Sequence, residues 1–176
     1  MEYLNNSIYG NESLSKIIDN LRDWNFETLD GIGFCRKHDK YSFIELKVYH
    51  LSHYPEKDKI ENHYSYYSYL DWKVDTNQFP LDYYEYGKEE LIKYAEFITN
   101  WFSSIKGEKI NLVFEINFAG YAPADTWGRG AAGQALLNAI VSCFDKDLYK
   151  IGMERKERDH PLENGIYQSV YSPRRI

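Results

Sequence analysis

Residues Gly87–Phe118 read GKEELIKYAEFITNWFSSIKGEKINLVFEINF, and the period of their apolar positions changes once along the way. Leu91, Ile92, Ala95, Ile98, Trp101, Phe102 and Ile105 recur at helical spacing. Glu89 and Glu90 sit in the first turn, where the helix dipole favours them, and Gly107 marks the end. The spacing predicts a helix over 88–105, opened by Gly87. Beyond Gly107, the residues Ile110, Leu112, Phe114, Ile116 and Phe118 alternate with Asn111, Val113, Glu115 and Asn117. That is the two-residue period of a strand with one buried face.

Working outward, Leu14, Ile17, Ile18, Leu21 and Trp24 predict a helix over 11–25, capped by Asn11 or Ser13. Residues 31–36 and 41–49 read as two strands joined by Lys37-His38-Asp39-Lys40. In the second, Tyr41, Phe43, Glu45, Lys47 and Tyr49 share one face, and Ile44, Leu46 and Val48 the other. Residues 52–62 form a charged connection, and 63–74 a further strand, rich in tyrosine and tryptophan. Tyr64, Tyr66, Leu70, Trp72 and Val74 fall on one of its sides, and Tyr67, Tyr69, Asp71 and Lys73 on the other. A loop through Asn77, Pro80 and Asp82 carries Tyr83-Tyr84-Glu85-Tyr86 to the helix. After a Gly/Pro loop, residues 131–144 read as an apolar helix, and strands are expected near Tyr149–Met153 and Ile166–Tyr171. The order predicts an α+β fold: one domain over 1–176, a mostly antiparallel sheet with two to three helices packed on it.

With 176 residues, 43% hydrophobic and 27% charged, the chain can bury a core without disulfides or metals. Cys35 and Cys143 lie in apolar surroundings and read as free thiols. The first residues show no basic, then apolar, leader, and no run is long enough to span a membrane, so the expected compartment is the cytoplasm. A net charge of −6 and pI near 5.4 disfavour broad binding to nucleic acid or anionic membranes.

Three constellations bear on chemistry. Residues 118–134 place a strand end, a glycine-rich loop and a helix start in series, so Gly128, Arg129 and Gly130 are candidate anion ligands. The alternative is a loop whose glycines serve a tight turn and close packing. Gln134 stands where a phosphate-binding P-loop needs lysine and serine or threonine. A dinucleotide fingerprint needs a parallel β-α-β setting and a distal acid, which the pattern does not supply. The histidines His38, His50, His53, His63 and His160 lack metal-site spacing, because His50 and His53 on an extended chain point to opposite faces. Nothing in the sequence calls for a cofactor, a metal or a catalytic residue, although Glu115, flanked by apolar neighbours, is the one carboxylate considered as a general acid or base.

The tyrosines are the third. Seventeen tyrosines stand in the chain, and Tyr64, Tyr66, Tyr67, Tyr69, Tyr83, Tyr84 and Tyr86 are interleaved with Asp71, Asp75, Asp82 and Glu85. Tyrosine combines contact area with few rotors and a polar tip, and surrounding acids attract a basic partner. These eleven residues form the expected partner-binding surface, unless the tyrosines are core residues with satisfied hydroxyls.

In size, acidity and composition the chain resembles the immunity proteins of bacterial polymorphic and contact-dependent toxin systems. The resemblance implies a cytoplasmic, non-enzymatic inhibitor that neutralises a cognate basic partner, such as a nuclease toxin domain, by binding it. Two other functions compete with it. One is a small-molecule enzyme or anion binder using residues 120–134, with Arg129 holding the anion and Glu115 or Asp125 as the acid or base. The other is a single-stranded nucleic-acid module stacking bases on tyrosines, which the acidic charge disfavours.

Overall fold

The computed structural model describes residues 10–37, 40–62, 68–75, 77, 79, 81–122 and 130–170, with backbone only at 10–16, 37, 61–62 and 81–84. In chain order the elements are α1 (Gly10–Asp23), β1 (Leu29–Lys37), β2 (Lys40–His50), two 3-10 turns (Leu51–His53 and Lys57–Lys59), β3 (Glu61–Asn62) and β4 (Ser68–Trp72). Then come α2 (Leu81–Lys106), β5 (Leu112–Gly120), α3 (Ala131–Ser142), α4 (Lys146–Asp159), β6 (Leu162–Glu163) and β7 (Ile166–Tyr167). The main sheet has the order β1-β2-β5-β4-β3, and β6 and β7 form a separate hairpin. All neighbouring pairs are antiparallel except β4 and β5. The fold is α+β, as the alternation of periods predicted.

Three of the expected elements change. Helix α2 begins at Leu81, so Asp82, Tyr83, Tyr84, Glu85 and Tyr86 are helical rather than a loop, and Gly87 is buried inside the helix. The start signal is Pro80 followed by the acids Asp82 and Glu85 in the first turns, a stronger cue than an internal glycine. Residues 149–153 are helical, not a strand. Asp145 caps α4 by accepting from the Asp147 and Leu148 amides. Tyr149, Met153 and Lys156, at helical spacing, turn to the sheet. This makes four α-helices among the described residues where two to three were expected. Finally, β4, α2 and β5 form a parallel β-α-β unit, which the sequence pattern did not reveal. The glycine-rich segment follows β5 and lies outside that unit.

A bulge decides which residues share a face. Leu46 pairs with Ile116 but Glu45 with Phe118, so Asn117 is an extra residue in β5. Leu112, Phe114 and Ile116 join Ile44, Leu46, Val48 and Leu70 beneath α1, α2 and α3. Past the bulge, Phe118 lies on the opposite side, with Ile32, Tyr41, Phe43 and Ala122, and meets Tyr149, Met153 and Tyr167 of α4 and β7. Phe118 therefore leaves the face on which strict alternation puts it. Both layers are built from sequence: α3 is buried all round, as its alanines and leucines require of a central helix.

His160 holds the second layer together. The ring is fully buried. Its Nδ1 lies 2.8 Å from the Gln168 carbonyl, which can only accept, so Nε2 accepts from the Tyr41 hydroxyl at 2.7 Å. Burial pushes its pKa down to about 4, against the raising effects of the Gln168 carbonyl and Asp159. Its protonation in the unfolded chain comes first, near pH 6.5, so its contribution is complete above that pH and is lost as pH falls toward 4. We expect about 3 kcal/mol of stability to be lost through that window. Urea midpoints measured from pH 7.5 to 4.5 should fall more steeply for the native chain than for His160→Gln; parallel curves would exclude this account.

Candidate functional site

Among the described residues, α4 and the β6–β7 hairpin cover part of the face of the sheet opposite α1–α3. Among the described residues, the apolar contacts of α4 and the β6–β7 hairpin on this face are with Ile32, Phe34, Tyr41, Phe43, Phe118 and Ala122. Toward β4 the same face turns polar, and strand register sets the pattern. Lys47 of β2, Glu115 of β5 and Asp71 of β4 are successive partners across three strands. Tyr49, Val113 and Tyr69 form the adjacent row. A charged row thus lies beside an aromatic one.

Tyr54, from the connection after β2, closes this network. It is 2% exposed. Its ring packs edge-on against Tyr49 at 5.0 Å. Its hydroxyl donates to Asp71 and also lies 3.2 Å from Glu115 Oε2. Burial first, then the bond to Asp71, pushes the Tyr54 pKa far up, so the phenol stays protonated. Lys73 reaches Asp71 at 2.9 Å and Glu56 at 3.2 Å. The Asp71 bond raises the Lys73 pKa, and Lys73 in turn lowers that of Glu56. Asp71 and Glu115 are thereby engaged within the molecule, whereas Lys47 and Lys73 remain partly exposed.

The other predicted contact residues divide between three places. Tyr64, Tyr66 and Tyr67 lie outside the described residues. Tyr69 and Asp71 are half-buried on β4, in the network just described, and Asp75 is exposed in the turn that follows. Asp82, Tyr83 and Tyr84 begin α2. Glu85 is exposed, and Tyr86 is 72% exposed, the most open large hydrophobic side chain among the described residues. Sequence reasoning did not single out Tyr49, Tyr54 or Lys73 as site residues. For Tyr49 and Lys73 the signal was parity, which becomes readable only once strand order is known; Tyr54, in the connection after β2, carried none.

The glycine-rich segment shows an unexpected occupant. Gly130, at φ 90°, precedes α3, and its amide donates to Glu90 Oε2 at 2.9 Å. The Gly133 amide donates to Glu90 Oε1 at 2.8 Å. The carboxylate that satisfies this helix start comes from α2 of the same chain. Gly128 and Arg129 lie outside the described residues, as does Asp125.

His50 and His53 come closer than extended geometry allows, because the strand ends at His50 and residues 51–53 form a 3-10 turn. Their rings are 5.9 Å apart. His50 Nδ1 accepts from the Ser52 amide, and His53 Nδ1 lies 3.1 Å from the Phe26 carbonyl. Burial and the neighbouring His53 lower the His50 pKa. His38 and His63 lie outside the described residues, and among those described no group of three metal-ligating side chains converges. Cys35 and Cys143 are free thiols. Cys143 donates to the Ala139 carbonyl, and burial pushes its pKa up, which suits packing rather than attack. No helix among the described residues is long and apolar enough to cross a membrane.

No protein-family model, curated protein or solved structure matches this chain.

Proposed function

We propose that this chain is a binding protein that neutralises a basic protein partner, and that the partner is a toxin domain such as a nuclease. The observation that carries the reading is Tyr86, largely exposed between Glu85 and the equally exposed Glu89 at the start of α2. A large aromatic ring is left in water where acids surround it, on a chain of net charge −6. Such a ring is the kind of anchor that carries binding energy, while the acids around it speed encounter with a cationic surface. Asp75 is a further exposed acid, in the turn after β4, whereas Tyr69 and Tyr49 lie on the face of the sheet opposite α2 and so belong to a different surface from Tyr86. Asp71 lies on that other face too, where it is bonded to Tyr54 and Lys73 within the molecule.

The reading is tested by expressing a tagged chain in its own cell and washing the captured material at moderate and then high salt. A near-stoichiometric basic protein that survives supports it, and its absence sinks it. With the partner in hand, Asp75→Lys, Glu85→Lys and Glu89→Lys together are expected to slow association about tenfold or more at low salt. Tyr86→Ala should instead speed dissociation, by about 2 kcal/mol of binding energy. An unchanged on-rate in the triple variant would remove this surface from the interface.

A further inference from the structure

The ladder between β1 and β2 runs unbroken from Leu29↔Val48 to Lys37↔Lys40. In an antiparallel ladder, alternate residues turn both backbone groups away from the partner strand. On β1 these are the even-numbered residues, and β1 is the outer strand of the sheet. The Ile32 N–H donates to Ser142 Oγ at 2.8 Å, and the Phe34 carbonyl accepts from Asn138 Nδ2 at 2.8 Å. Both side chains are buried on α3, and they stand in for the strand that an edge lacks.

This protection ends where α3 ends, at Ser142. Asp30 has the same parity as Ile32 and lies beyond the reach of α3, and nothing among the described residues takes its outward N–H or C=O. Here the surface opens into a cleft of about 590 Å³ walled by Glu27, Thr28, Asp30, Ser142, Lys146 and Tyr149. A second cleft of about 300 Å³ adjoins it through the shared walls Glu27, Leu29, Cys143 and Lys146, and adds Asp23 and Trp24. Three carboxylates thus face one lysine around an open strand edge. Among the described residues, the Asp30 carboxylate is paired with Lys47, at 3.8 Å and exposed.

We infer that this cleft takes an extended segment of a partner protein bearing lysine or arginine, which adds as a strand beside Thr28–Asp30. Main-chain bonds to Asp30 supply the register of the added strand. Its cationic heads reach Asp23, Glu27 and Asp30, while their apolar stems lie on Tyr149. The inference rests on the reading that the partner is a basic protein, and it gives that partner a second contact.

The test uses the full chain, ¹⁵N-labelled, and a capped heptapeptide alternating lysine and valine. Amides over 27–31 and 142–149 are expected to shift on titration, and the Asp30 amide to gain about tenfold protection from hydrogen exchange. Glu27→Gln with Asp30→Asn should weaken peptide binding about tenfold, and so should N-methylation of the peptide at alternate residues. Shifts elsewhere only, or equal binding by the double variant and the methylated peptide, would overturn the inference. Once a partner has been captured, its insensitivity to the double variant, with loss of binding on Tyr86→Ala, would remove the cleft while leaving the proposed function standing. Failure to capture any basic protein would remove the function itself.

Discussion

Replacing Gly33 by alanine is expected to prevent β1 from seating on α3. A Cβ there would lie 2.8 Å from the Asn138 carbonyl carbon, with the Ala139 nitrogen and Ala135 oxygen closer still. All three are backbone atoms of a helix that is buried all round, so neither side can yield. At Gly31, one turn along α3, a Cβ would come within 2.5 Å of the Ala139 oxygen. Moving α3 outward would also pull Asn138 and Ser142 from the Phe34 carbonyl and the Ile32 amide. The cost adds overpacking to two lost buried hydrogen bonds, about 3 kcal/mol or more. Gly107→Ala is the comparison. That glycine has φ 74° but open space around it, so alanine should cost about 1 kcal/mol through the backbone alone. Urea unfolding of the two variants decides the matter; equal midpoints would mean that helix and strand are not in the close contact described.

The second large effect is expected at Glu45. Its carboxylate holds the Lys156 ammonium, which sits 4.0 Å from the Tyr167 ring centre and 4.7 Å from that of Phe118. The Lys156 side chain is 7% exposed, that of Glu45 26%. Glu45→Ala strands a buried cation, with an expected loss of about 3–5 kcal/mol. Lys156→Met keeps the volume and packing against both rings, and leaves a carboxylate that water can reach, so the loss should stay below about 1.5 kcal/mol. The order of the two variants is the discriminating result. If Lys156→Met proves the more damaging, the contacts of the ammonium with the Tyr167 and Phe118 rings, which Glu45→Ala keeps, outweigh the cost of stranding its charge.

Gly33 and Glu45 show what a single sequence conceals. Gly31-Ile32-Gly33 read simply as part of a strand, whereas the glycines answer the close approach of a helix a hundred residues later. Glu45 read as one charge on a strand face, and its partner Lys156 lies on α4, a helix the pattern did not announce, beyond the strand expected near Tyr149–Met153. The binding surface was legible to a similar degree. Parity placed Tyr69 and Asp71 together on one side of β4, and the composition singled out the 64–86 region. That Asp71 would be bonded to Tyr54, from a connection with no periodicity to interpret, had no local signal.

Element type is a local property. The changes of period at Gly107 and around residue 30, the apolar stripe of α2 and the alanine-rich α3 follow from which side chains fall on one face of a helix or strand, so the linear order of residues determined the α+β class. Which face meets which is not local. The parallel seating of β4 on β5, the bulge at Asn117 that carries Phe118 to the other layer, and the insertion of Glu90 at the start of α3 each depend on groups far apart in the chain. Periodicity shows that a surface must be buried, and only the closed packing of all layers selects the surface that buries it.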